Sequence, residues 1–365
     1  MNRYYLYCIM CNLLTCFILY IPNVLIEQRF DGALMSMILG IPISFCLAGT
    51  FLLVMRRVPR MDLASYLRTL LPRWVFLPFT VYQALMWFAA SCGAIGELTL
   101  VLRRYTVPDI SFTMLLLLHL AAIAWAASRS TKTVLAILEI VSLLCVPLMT
   151  FLVLKAWANE RISWDSIYVL TDYVVQPPTW MGLAASTYVF SGYVNLAVFH
   201  KVFRHPIGWR SLLASVVMGT GVLFTIVLVP VGFFGTYGVA DFPYISASTA
   251  DSMRLDYGFI ERVLYLYMLC MLLSMLNFGM MIWHVGIEML KTCMPARLLR
   301  TNVREQLFAL SVCLLLSIAT LLFFNLLDEK SMLTWTTGWL SFRLFSEIAT
   351  VAFLALLLLR RRKPA

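Results

Sequence analysis

The chain has 365 residues, of which 62% are hydrophobic and 13% charged, and its formal net charge is +10. So apolar a composition overrides the two or three soluble domains that the length alone would suggest. The basic residues are spread loop by loop rather than gathered on one face, which excludes a nucleic-acid partner.

Ten apolar runs follow one another: 5–26, 33–55, 75–102, 112–128, 133–157, 181–203, 211–237, 259–290, 306–325 and 337–359. Each suits an α-helix, which needs ~20 apolar residues to cross the hydrocarbon core. They are too long and uniform for the ~10-residue alternating strands of a membrane barrel. The sequence therefore predicts an all-α membrane protein, a single transmembrane domain over residues 1–365 with ten transmembrane helices. Its solvent is the lipid bilayer.

The first run, led by Arg3, lacks a small-x-small cleavage site and reads as a retained helix rather than a signal peptide. It carries Thr15 mid-span and Pro22, which removes an amide donor. After the second run, Asp62 can cap a short helix with an apolar face of Leu63, Tyr66, Leu67, Leu70 and Leu71, closed by Pro72. Glu97 lies inside the third run and Glu139 inside the fifth, where charges mark function by default. The sixth run holds Ser191-Gly192 mid-span, followed by Asn195. Gly192 either lets a ligand approach the backbone or serves close helix packing. After the seventh run, Pro243 leads into a second polar segment with a short helix. Asn277 in the eighth run is expected to bond across to another helix. In the tenth, Arg343 and Glu347 are four apart and read as a self-satisfied pair on one helix face.

The two longer connections occupy equivalent places in spans 1–5 and 6–10, on opposite membrane faces. That is the pattern of a 5+5 inverted repeat with halves of about 1–157 and 181–359. Such proteins place their ligand near the midplane, where the first helix of each half is broken. Replacing Gly192 with leucine is then expected to abolish a ligand response at normal abundance.

Loop charge gives the orientation. Alternate loops carry Arg3; Arg56, Arg57, Arg60, Arg68 and Arg73; Arg129 and Lys132; Lys201, Arg204 and Arg210; Lys291, Arg297, Arg300 and Arg304; and Arg360, Arg361, Arg362 and Lys363. The other loops are poorer in Lys and Arg, so both termini are expected to be cytoplasmic. Reporter fusions after Arg204 and Arg300 should report cytoplasm, and those after Arg161 and Asp251 outside; two reversed fusions would sink the ten-span reading.

Cys8, Cys11, Cys16, Cys46, Cys92, Cys145, Cys270 and Cys313 fall almost all inside apolar runs, as small packing residues. Cys8-x-x-Cys11 has redox or zinc spacing but no second ligand pair nearby. His119, His200 and His284 show no metal-ligand spacing and read as hydrogen-bonding residues, so neither a metal nor a cofactor is expected. With no Walker loop or nucleophile elbow, the chain reads as no enzyme.

The segment FPYISASTADSMRLDYGFIERVLYLYMLCML, with Phe259, Glu261 and Arg262, resembles the spore germination permease family. Glu97 followed by Arg103-Arg104-Tyr105-Thr106-Val107-Pro108 is similar to that family's third helix, Glu139 to its fifth-helix acid, and Phe190-Ser191-Gly192-Tyr193 to its sixth helix. The family supplies the B subunit of nutrient germinant receptors and is related to the amino acid/polyamine/organocation permeases, with their LeuT-like fold. The resemblance implies a spore inner-membrane (or bacterial cell-membrane) subunit that binds a small nutrient, such as an amino acid. Its partners would be a larger membrane subunit and a lipoprotein. It implies ligand contacts from Thr15, Cys16, Phe17, Ser191, Gly192 and Tyr193, and an ion or proton path through Glu97 and Glu139. Two rivals stay open: a proton-coupled amino acid transporter, and a structural subunit whose pocket is vestigial. Thr15 and Phe17 stand where the family often has glycines.

Overall fold

The computed structural model describes residues 3–17, 20–203, 207–255, 261–295 and 301–359, apart from the side chains of 329, 330, 333 and 359. Phe259 and the basic residues Arg204, Arg297, Arg300, Arg360, Arg361, Arg362 and Lys363 lie outside this set. Among the described residues there are only helices, turns and one isolated bridge, between Arg254 and Arg262.

The elements in order are α1 (Arg3–Cys16), α2 (Ile21–Glu27), α3 (Ala33–Met55), α4 (Leu63–Leu70), α5 (Arg73–Tyr105), α6 (Phe112–Ala127) and α7 (Thr131–Trp157). They continue with α8 (Trp164–Thr171), α9 (Trp180–Tyr188), α10 (Leu196–Phe199), α11 (Trp209–Phe234), α12 (Ile245–Asp251), α13 (Val263–Cys293), α14 (Asn302–Leu326) and α15 (Glu329–Leu359). Among the described residues, seven helices are long and apolar enough to cross a membrane, and two bent pairs, each taken as one span, raise the number to nine. The remaining predicted span is α6, with 16 residues just short of the usual length.

Local chemistry sets many of the boundaries. The Asp62 carboxylate accepts from Ser65 N (2.7 Å) at the start of α4. Leu63 and Leu67 of α4 are buried, and Pro72 then ends the connection and opens α5. Ser111, Ser130, Ser163, Thr179 and Thr301 cap α6, α7, α8, α9 and α14 in the same way, each satisfying an amide that a first turn leaves free. The predicted short helix after Pro243 is α12, whereas Glu261 and Arg262 precede α13 rather than lie within it.

The core centres on α13, which packs against α5, α6 and α7. Trp283 is fully buried there and donates to Ser91 Oγ of α5 (2.7 Å). By contrast α14 touches chiefly α6 and leaves Leu314, Leu315 and Leu322 exposed, as a lipid-facing helix does.

The predicted first and sixth spans are not continuous. α1 and α2 differ in direction by 52°, and Pro22 sits in the first turn of α2, where no amide donor is needed. α9 and the segment Ser191–Val202 differ by 58°. That segment begins as a 3-10 turn over Ser191–Asn195 and continues as α10.

Candidate functional site

A helix that stops inside the membrane leaves its last carbonyls without partners, and no water is at hand to replace them. Neighbouring helices supply the donors at the end of α9. Asn12 Nδ2 of α1 donates to Tyr188 O (3.3 Å) and Val189 O (3.0 Å). From α15, Arg343 Nη2 donates to Ala184 O and to Thr187 Oγ1 (3.0 Å). A cation at a helix C-terminus also meets the negative end of the helix dipole.

The same Arg343 reaches across the break. Its Nη1 donates to Ser191 Oγ (2.8 Å) and to Glu347 Oε2. Glu347 in turn accepts from Ser191 Oγ (3.1 Å) and from the hydroxyl of Tyr193. Arg343 therefore holds the α9 side and Glu347 the 3-10 side of one discontinuity, and both side chains are buried. Asn195 completes the frame, with its Nδ2 donating to Gly192 O (3.2 Å) and its Oδ1 accepting from Trp87 Nε1 of α5 (3.0 Å).

Beside this frame lies a cavity with about 940 Å³ of atom-free space, its mouth included. Asn12, Gln83, Ser191, Asn195, Arg343 and Glu347 supply polar atoms to its wall, and Leu63 and Leu67 of α4 line one end. Thr80, Ser346 and Thr350 add hydroxyl residues, and the rest is apolar and aromatic, the composition of a small-molecule site. Gln83 is itself oriented by a bond from its Nε2 to Thr350 Oγ1 (2.6 Å). Arg343 and Glu347 cancel, so the wall carries no net charge.

Of the six residues expected to meet a ligand, Ser191 lines this cavity. A Cβ on Gly192 would lie 3.0 Å from Asn12 Cβ and 3.3 Å from Ile9 Cα, so this glycine faces α1 and permits close packing. Tyr193 is fully buried between Glu347 and the ring of Phe51. Thr15 Oγ1 and Cys16 Sγ turn back onto Asn12 O (2.7 and 3.1 Å). Phe17 lines a separate cavity with about 450 Å³ of atom-free space, its mouth included, and its carbonyl accepts from Tyr267 (3.1 Å).

The two acids expected on an ion path occupy different settings. Glu97 is 2% exposed and accepts from Tyr20 N (3.1 Å), so it caps the start of α2 at the first break. Glu139 is partly exposed and pairs with Arg3 Nη1 at 3.4 Å. Neither lines the large cavity. His119 meets Thr99 (3.0 Å), His200 meets Val58 O (3.3 Å), and His284 meets Thr131 and Ala127 O (3.0 Å each), all across elements. Asn277 is buried, but its Oδ1 has no protein partner among the described residues. Among these residues no group of three His, Cys, Asp or Glu could hold a metal ion.

No family model and no curated protein matches the chain. Among solved structures, the crystal structure of a mutant manganese transporter from Eremococcus coleocola is similar, with a TM-score of 0.52 at 12% identity. The match covers 93% of this chain and 75% of that one. At this identity the likeness defines the fold alone: the chain is a multi-pass, all-helical integral membrane protein with a transporter-like fold.

Proposed function

We propose that the chain is the membrane subunit of a nutrient-germinant receptor. It binds a small nutrient, an amino acid or a similar molecule, at a transporter-like site and so triggers spore germination. The reading includes the ten-span, 5+5 arrangement, with α6 as the fourth span and both termini cytoplasmic. It also includes a larger membrane subunit and a lipoprotein as partners in the spore inner membrane. The observation that carries it is the cavity beside Asn12 and Ser191, with a buried pair of opposite charges on its wall. A ligand there touches residues from both broken helices, so it can favour one arrangement of them, which is the differential affinity a sensor needs. A divalent cation fits this wall poorly, since Arg343 repels it and Glu347, the only carboxylate lining it among the described residues, is already paired.

A second reading, a proton-coupled amino acid transporter, is favoured by one feature: Glu97 is buried in direct contact with the first break. Labelled amino acid uptake separates the two. For the receptor, wild-type uptake in vesicles is negligible, and Glu97→Gln shifts the germination threshold only as far as it weakens the cap on α2. For the transporter, uncoupler-sensitive accumulation is present in the wild type and lost in Glu97→Gln while binding survives, because the amide cannot titrate. Spores lacking the gene, screened against a nutrient panel, test the receptor reading directly; an unchanged response to every nutrient overturns it.

A further inference from the structure

A smaller pocket, with about 310 Å³ of atom-free space, its mouth included, lies next to the large one. Its wall includes Tyr20 and Ile21 at the start of α2, with Gly93 and Trp335, so it lies on the α2 side of the large cavity. Three residues line both spaces: Ala90, Tyr188 and Trp339. Ala90 is too small to close a passage, so the two aromatic rings form the partition. They meet edge to face with centroids 5.8 Å apart. Tyr188 is the last residue of α9, and Trp339 lies one turn before Arg343 on α15.

The two halves of the partition are held differently. Tyr188 is buried, its carbonyl accepts from Asn12, and the Arg343 guanidinium lies 5.4 Å from its ring centroid. The indole N–H of Trp339 is buried yet has no partner among the described residues. Elsewhere in the cavity wall and core, Trp87 and Trp283 each donate their N–H to a named acceptor. Turning Trp339 away therefore breaks no hydrogen bond of its own, and a new orientation can only gain one. Turning Tyr188 would disturb a ring packed under Arg343.

We propose that Trp339 is a swinging partition that controls access to the large cavity from the α2 side, with Tyr188 as its fixed stop. The assignment of that cavity as the ligand site rests on the function proposed above. The partition itself is tested without any ligand, so the two can fail separately.

The test places a cysteine at Met86, which lines the large cavity and not the small one. The full chain is used, with the more accessible native thiols Cys46, Cys92 and Cys293 replaced by alanine. A charged, membrane-impermeant thiosulfonate reagent is applied to intact cells and to inside-out vesicles; the fusions described above assign the loop at 28–32 to one of them. Adding Trp339→Ala is expected to raise the modification rate at least tenfold from the α2 side and to leave it unchanged from the α4 side. Trp339→Phe, which keeps a ring, should stay within twofold of its parent, and Trp339→Leu substitutes for the alanine variant should that one fail to accumulate. An equal rate with and without the indole, or an equal rise from both faces, overturns the partition. Motion is read by ¹⁹F spectra of 5-fluorotryptophan-labelled protein. The resonance lost in Trp339→Phe should be split or exchange-broadened beside a sharp Trp283 signal, and a single sharp line for Trp339 overturns the swing.

Discussion

Replacing Glu347 with glutamine is expected to destabilise the protein by about 3–5 kcal/mol, the usual cost of removing one partner from a buried ion pair. The loss should appear as a lower melting temperature in detergent and as reduced abundance in the membrane. Arg343 would keep its charge in a site where its side chain is 8% exposed and where Glu347 is its ion-pair partner. The hydroxyl of Tyr193 would lose its carboxylate acceptor in the same step. Replacing both residues with apolar ones of similar volume (Arg343→Met with Glu347→Leu) should be less damaging than either single change, because no lone charge remains. The double variant should still fall short of the wild type. It removes the Arg343 donor from Ala184 O and Thr187 Oγ1 and unties the two sides of the break in the sixth span. A single variant that melts with the wild type would show that the pair does not hold this break.

The breaks themselves were legible in the sequence, and the reason is steric and chemical rather than statistical. Pro22 cannot donate an amide, so a helix either kinks or begins there, and α2 begins there. Ser191-Gly192 in an apolar run marked the second break to within a few residues. The Asp62 cap and the Leu63/Leu67 face of α4 were equally plain. What the sequence hid was which neighbours compensate each break. Asn12 and Arg343 lie 176 and 159 residues from the carbonyls they satisfy, and no local spacing reveals such a pairing. Arg343 and Glu347 do pair one turn apart as expected, yet that spacing gave no hint that their remaining hydrogen bonds hold the end of α9. Glu139 likewise has no basic residue one turn away on its own helix; Arg3 reaches it from α1. The run 112–128 reads as a span in the sequence, whereas α6 has 16 helical residues, between the length of a span and that of a shorter buried helix.

Substituting Gly192 has a different expected outcome once its surroundings are known. A glycine beside a ligand would tolerate leucine in folding and lose only the ligand response. Here the added Cβ would stand 3.0 Å from Asn12 Cβ, 3.2 Å from Ile9 Cδ1 and 3.3 Å from Ile9 Cα. The last of these is backbone, so α1 as a whole must move to make room. Gly192→Ala demands a shift of a few tenths of an ångström and should cost about 1–3 kcal/mol, the range for overpacking a tight contact. Gly192→Leu has no room for its branch and should push α1 away, breaking the bonds from Asn12 to Tyr188 O and Val189 O. Those carbonyls would then be buried without donors in a membrane interior, where each unsatisfied group costs several kcal/mol. The leucine variant is therefore expected to be nearly absent from the membrane, while the alanine variant inserts at reduced stability. Membrane abundance by immunoblot, read beside melting of the purified alanine variant, decides the matter. Normal abundance of the leucine variant would mean that Gly192 does not pack against α1.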